Sequence, residues 1–294
     1  VTGDTTIKAA DGKVAFDVYY WAPNYPDGVE VTFDKDFTGT VIGKVEYAAS
    51  DNAEAGWEND KAVLTFANGN GGMFDITLDV DPSVDANINI ESGTFSKVFD
   101  SKYLSDGTAL YIPTGDGASG YVVAPTSGAP EGASVVAAVM DGKGYASISA
   151  AIAAINDTEQ HTITLVDLDG DNDNSVTGEG VFLGAGDKNI VIDFNGLTYN
   201  VNKLVGSAGT ESQLFHLEKG NTVTLKNGTI GVDTAASDVL MFIQNYSFLT
   251  LDNMTVDSSA FNDVSYTVSN NNGSLTVTGD TTIKAADGKV AFDV

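Results

Sequence analysis

LTLDNMTV, residues 249–256, alternates apolar and polar side chains, breaks at Asp252-Asn253, and resumes on Thr255 and Val256. Alternation with period two marks a half-buried β-strand, and Asn at the break tolerates the positive φ of a tight turn. Three other stretches follow the same pattern: IDFNGLTY (192–199), VTLKNGTI (223–230) and LTVTGDTTI (275–283). Anchored on Phe194, Leu225, Leu251 and Val277, they succeed one another at steps of 31, 26 and 26 residues. Between the anchors lie further strand-like runs, SQLFHLE (212–218), DVLMFIQN (238–245) and VSYTVSN (264–270). Two or more short strands in a period of this length is what one coil of a parallel β-helix requires.

The rhythm continues from the N-terminal side in VAFDVYYW (14–21), GVEVTF (28–33), AVLTF (62–66), FDITLDV (74–80) and NINIESGTF (87–95), with looser spacing. One segment differs. YASISAAIAAIND (145–157) sets Ile148, Ile152 and Ile155 at i, i+4 and i+7, which predicts a short amphipathic helix with Ser147 as its N-cap. Such a helix, followed by the alternating strand HTITLVDLD (161–169), is suited to cover the open end of a β-helix. VAPTSGAPEGAS (123–134) gathers Pro, Gly and Ser and reads as a linker. The expected order is residues 1–122 as the C-terminal part of a β-helix unit, the linker 123–134, then 135–294 as capping helix and N-terminal part of the next unit.

VTGDTTIKAADGKVAFDV, residues 1–18, recurs without change at 277–294. A packed core tolerates extensive hydrophobic substitution, so folding alone does not demand the identity. It reads as a tandem array with a period of 276 residues, the offset between Val1 and Val277, cut out of phase with an overlap. The alternatives are a single protein with a recently duplicated terminal strand and a chain into which the copy was introduced by design.

ESGTFSKVFDSKYLSDGTALY (91–111) resembles the closing segment of right-handed parallel β-helix domains, of pectate-lyase-like fold, in large Firmicute surface proteins. AVMDGKGYASISAAIAAINDTEQHTITLVDL (138–168) is similar to their opening segment, and KNIVIDFNGLTYNV (188–201) resembles the Asn-Gly coil that follows. The resemblance implies an all-β, right-handed parallel β-helix. It is weak for activity, because function resides in sites rather than folds. The closing segment here precedes the opening one, an inversion that the out-of-phase array explains.

The formal charge is −27, from 41 acidic residues against 14 Lys with no Arg. Such a surface repels nucleic acid and anionic lipid, both of which are bound through basic patches. Cysteine is absent, which excludes disulfides and thiolate metal sites. No apolar run reaches the roughly 18 residues that a membrane span needs. The first residues already read as strand and turn, so a secretory signal, if the protein has one, lies outside these residues.

Catalytic chemistry finds little support. Pectate lyases of the resembled fold use an Arg as base, and none is present; their hydrolysing relatives pair Asp residues near a Gly-His-Gly, which is also missing. His161 and His216 each read as surface or rim residues. DLDGDNDNSVTGEG (167–180) is the most pointed motif: Asp167, Asp169, Asp171 and Asp173 alternate, as an oxygen-rich calcium loop would require. From Asp169 the run meets three EF-hand ligand positions, but Asn174 replaces the sixth-position Gly and Gly180 the twelfth-position Glu. An acidic solvated turn fits the same residues. Asn-x-Ser/Thr triplets at Asn156, Asn227, Asn245, Asn253 and Asn272 suit glycan acceptors or, more simply, the turn pattern itself. Tyr19, Tyr20, Trp21 and Tyr25 form an aromatic cluster fit either for stacking on sugars or for packing a corner.

The expectation is therefore a non-enzymatic structural repeat unit of an extracellular bacterial cell-surface fibre, stalk or adhesin. Its partners are copies of itself in a head-to-tail polymer or array, with glycans as further candidates. The alternative is a polysaccharide-binding or polysaccharide-cleaving β-helix.

Overall fold

The computed structural model describes residues 1–20, 27–47, 61–69, 71–114, 120–171 and 173–293. The chain is nearly all β, in curled and mostly parallel sheets, and divides into two compact units. Unit 1 comprises Val1–Val135 with Leu168–Asp171; unit 2 comprises Val136–Asp167 and Asn172–Val294.

Unit 2 begins with the hairpin β11 (Ala138–Met140) and β12 (Lys143–Tyr145), followed by α1 (Ile148–Ala154). The Ser147 hydroxyl accepts from the Ala150 N–H at 3.0 Å, and Ile148, Ile152 and Ile155 are buried, as the helical spacing predicts. The strands β13 (Gln160–Leu165), β14 (Ser175–Glu179), β15 (Val181–Leu183), β16 (Asn189–Asp193), β17 (Thr198–Lys203) and β18 (Gln213–Leu217) follow. They continue with β19 (Thr222–Val232), β20 (Met241–Asn245), β21 (Phe248–Asp257), β22 (Tyr266–Asn270), β23 (Ser274–Thr278), β24 (Thr282–Lys284) and β25 (Val290–Asp293).

These strands form three parallel ladders. One runs β13, β16, β19, β21, β23. A second runs β14, β17 and the distal halves of β19 and β21 to β24. The third runs β15, β18, β20, β22, β25. Leu225 faces Leu251 and Leu251 faces Val277, as the 26-residue steps predict. The earlier anchor is different: Leu225 pairs with Ile192, two residues before Phe194. The Asn195-Gly196 turn, with φ of 55° and 82°, ends β16 before Phe194, so the chain needs a longer step there. Ile192, Leu225 and Leu251 are fully buried in one column, while Asp193, Lys226 and Asp252 form the adjoining outward column, with Lys226 paired to Asp193 at 3.1 Å. Asn227 and Asn253 take φ of 59° and 52°, confirming Asn as the residue that turns the chain within the long strands.

Unit 1 is built on a similar plan with an aromatic interior. Its strands are β1 (Thr6–Lys8), β2 (Val14–Val18), β3 (Val29–Phe33), β4 (Thr40–Tyr47), β5 (Ala62–Ala67), β6 (Met73–Val80), β7 (Ile88–Phe95), β8 (Thr108–Ile112), β9 (Tyr121–Pro125) and β10 (Ser134–Val135). β3, β5 and β7 pair in parallel, as do β4 and β6, while β1 and β2 share β4. Phe33 stacks on Phe66 at 5.4 Å and meets Phe37 and Phe74 edge-on at 5.0 and 5.2 Å. The far end is covered by the antiparallel run β7, β9, β8, β10. The Pro/Gly/Ser-rich residues 123–134 thus carry the end of β9, a 3-10 turn at Thr126–Gly128 and the start of β10. β4 is an element the sequence pattern did not single out, because Gly43 interrupts its alternation.

Candidate functional site

The eighteen-residue copies are the most informative surface, since they hold one sequence in two settings. In unit 1, β1 and β2 lie along β4: Thr6 faces Thr40, Ile7 faces Val41, Lys8 faces Ile42, and Phe16, Asp17 and Val18 face Val45, Glu46 and Tyr47. In unit 2, the identical residues form β24 and β25, which lie along β21 and β22: Thr282 faces Thr255, Ile283 faces Val256, and Phe292 faces Val268. The backbone is the same in kind. Gly3 and Gly279 have φ of 71° and 59°, and Gly12 and Gly288 have 67° and 75°. Among the described residues each copy has a ladder partner on one side, and the sides are opposite in the order of the chain: the first copy pairs with a later strand, the second with earlier ones.

Burial follows from the neighbours. Phe16 packs 5.7 Å from Phe33 and Val18 is wholly buried, whereas Phe292 is 53% exposed. Of the eight exposed large apolar residues among those described, five lie in the copies: Val1, Val14, Val277, Val290 and Phe292.

In the acidic loop, the carboxylates of Asp167, Asp169 and Asp171 lie within 4.8 Å of one another. Asp173 accepts from the Ser175 N–H at 2.8 Å. The loop leads from β13 into β14 and not between helices as in an EF-hand, and Asn174 supplies the positive φ of 57° that a sixth-position Gly would give. Close acidic groups on an exposed loop are common without an ion, so the grouping alone defines no site. In the aromatic cluster, Tyr20 is 5% exposed and Tyr19 half-buried; Trp21 and Tyr25 fall outside the described residues.

His216 is buried at 2% exposure, which corrects the rim assignment. It lies in β18, all five residues of which are buried; its ring stacks on Phe182 at 4.9 Å, and Nε2 meets Glu218 Oε1 at 2.9 Å. His161 bridges Asp157 at 2.9 Å and Asp141 at 3.1 Å; the hydrogen bonds to these carboxylates, Asp157 foremost, raise its pKa above the ordinary imidazole value. Neither ring has a nucleophile beside it in these contacts. Among the triplets, Asn245 is fully buried, donating to Asn270 Oδ1 at 2.7 Å and to Ser274 O at 3.0 Å. That is a side-chain ladder between successive strands, the structural alternative to glycan attachment.

Unit 1 carries a groove of about 710 Å³ whose lining includes Asp81, Asp85, Phe99, Asp100, Lys102 and Tyr103. Hydrogen bonds from Ser83 hold the Asp81 carboxyl below its ordinary pKa, so it stays ionised and is unsuited to the general-acid role that glycoside hydrolysis needs. Among the described residues, no helix is long and apolar enough to cross a membrane. Similarity searches match the chain to no family model, no curated protein and no solved structure.

Proposed function

We propose that this chain is a non-catalytic structural module, a right-handed parallel β-helix whose coils stack into a repeat unit of an extracellular bacterial surface fibre, stalk or adhesin. The observation that carries the reading is the copied segment, held against β4 in one unit and against β21 and β22 in the other. One coil sequence that accepts neighbours on both sides is the property a repeating stack requires. The three parallel ladders of unit 2 support the coil geometry, and right-handedness accords with the near-universal hand of parallel crossovers. In this reading stability sums over coils, and the partner of each unit is another copy of the chain.

Electron microscopy of the purified protein tests it: fibres of uniform width are expected, and discrete particles at every concentration would overturn it. A glycan-binding reading draws on one observation, the groove that sets Phe99 and Tyr103 beside Asp100 and Lys102. Incubation with acidic and neutral polysaccharides separates the two. Retention on a glycan column favours binding, and release of oligosaccharides would displace the structural reading altogether.

A further inference from the structure

The geometry points to a peptide-binding groove in unit 1, where an extended basic segment of a partner protein adds as a strand to the edge of β6 beyond Phe74. The proposal does not depend on the fibre reading, because every residue it uses lies inside unit 1. β4 pairs along the whole of β6, from Met73 to Val80, but on the other side β7 pairs only with Met73 and Phe74. The Ser96 N–H donates to Phe74 O at 3.0 Å, and the chain then leaves the ladder. Successive residues of a strand point their main-chain groups to opposite sides. The Met73 and Asp81 N–H groups donate to Gly39 O and Tyr47 O, on the β4 side. Ile76, Leu78 and Val80 share the parity of Phe74, so their N–H and C=O groups point to the open side. Among the described residues no backbone hydrogen bond meets these groups. An added strand takes up a row of this kind.

The groove of about 710 Å³ that runs beside this edge supplies the side-chain part. Leu78 and Val80 stand opposite Val45 and Tyr47, which are wholly buried, yet both remain half-buried because no described strand continues their ladder. Phe99 and Tyr103 line the same groove. Every second side chain of an incoming strand therefore meets an apolar floor, the arrangement that gives strand addition its specificity. A glycan chain offers no row of amides to match the edge.

Charge selects the partner. Around the groove Lys97 lies 3.6 Å from Asp75, Lys102 lies 3.0 Å from Asp100, and Asp79 is bridged to Lys44 at 2.9 Å. Asp81 and Asp85 also line it, and among the described residues no Lys pairs with either. Hydrogen bonds from the Ser83 hydroxyl and N–H, at 2.6 and 2.8 Å, keep Asp81 ionised. The groove thus carries surplus negative charge, complementary to a strand that bears Lys or Arg. A segment alternating apolar and basic residues satisfies the floor, the edge and the charge together.

Fluorescence anisotropy of the full chain with a labelled, acetylated octapeptide of alternating Val and Lys tests the proposal. Saturable binding that weakens as salt rises is expected; no binding overturns it. Two N-methylated peptides then read the pairing, one methylated on each Val backbone nitrogen and the other on each Lys backbone nitrogen. In an added strand one set faces β6 and the other faces away, so one peptide should lose affinity by about tenfold or more and the other should keep it. Equal behaviour of the two would rule out strand addition, because their charge is the same. Asp85→Lys, at an exposed position, should weaken binding by about 2–10-fold, and an unchanged affinity would remove the basic partner. The chain has no cysteine, so disulfide capture locates the peptide. Thr77→Cys, exposed on β6, should trap a peptide whose central Lys is replaced by Cys. Thr224→Cys, in a strand paired on both sides, should not. Capture at both positions or at neither refutes the site. Displacement of the peptide by a neutral hexasaccharide would give the groove to the glycan reading instead. Fibres without capture would leave the structural reading and remove this one; capture without fibres would do the reverse.

Discussion

The N-terminal copy of VTGDTTIKAADGKVAFDV lies against a cluster of packed Phe rings, and the C-terminal copy lies against the aliphatic side chains of Val256 and Val268. In the first, Phe16 leans on Phe33 and Val18 is sealed. In the second, Phe292 pairs with Val268 along one edge and leaves more than half its surface to solvent. Eighteen residues therefore encode a backbone shape, two positive-φ turns and two short strands, without encoding which neighbour they join. Burial and energy come from the partner strand.

The strongest way to break the comparison is to remove what makes the first setting buried. Phe33→Ala should cost about 3–5 kcal/mol in chemical denaturation, because it deletes the ring at the centre of four aromatic contacts. Phe292→Ala, measured on dilute protein, should stay within about 0.5 kcal/mol, as surface substitutions do. Equal losses from the two would mean that the C-terminal edge is already covered in the isolated chain.

A milder test uses the shared turn. Gly3→Ala forces a left-handed residue with open space around the new methyl and should cost about 1–2 kcal/mol. Gly279→Ala adds a clash to the same strain, since the methyl would stand 2.2 Å from Asn253 Oδ1, which accepts from the Asp280 N–H at 2.9 Å. Thermal unfolding should rank Gly279→Ala as the more damaging; the opposite order would contradict the packing of β24 beside β21.

The smallest effect concerns the paired Asp residues. Loss of water around the carboxyl, and then the facing Glu46, raise the Asp17 pKa above its ordinary value. A raised carboxyl favours the protonated form in the fold, so this contribution is most favourable at pH below 3.8. It is lost as pH rises through the elevated folded pKa. Asp17→Asn should accordingly stabilise at neutral pH by less than about 1 kcal/mol, the scale of one like-charge pair across a ladder. Asp293 instead faces Ser269 and accepts from the Asn270 N–H at 3.3 Å, so Asp293→Asn should bring no gain. Melting temperatures from pH 3 to 8 for the two variants decide it; stabilisation by both would show that net charge alone is responsible.

Much of the architecture was legible because local chemistry dictates it. Ser147 and the isoleucine spacing specify α1, and the Asn breaks at 227 and 253 specify turns that only a residue tolerant of positive φ can make. The 26-residue steps set the register of Leu225, Leu251 and Val277. Where a signal was interrupted or displaced, reading failed: Gly43 hid β4, and an early turn moved the Phe194 anchor to Ile192. His216 was misplaced because a polar residue in an alternating strand looks solvent-facing until a ring such as Phe182 covers it. Of the acidic loop, the spacing offered all four Asp residues as one group or as a solvated turn; the carboxylates of Asp167, Asp169 and Asp171 lie within 4.8 Å of one another, and Asp173 accepts from the Ser175 N–H, a local bond that alternation does not reveal.

Period-two alternation, turn residues and the exact repetition of eighteen positions follow from the sequence alone, because each depends on bonds and φ angles within a few residues. Which edge of the repeated segment is paired depends on tertiary structure. A strand offers hydrogen bonds equally on both sides, and only the presence of β4, or of β21 and β22, settles which side is used.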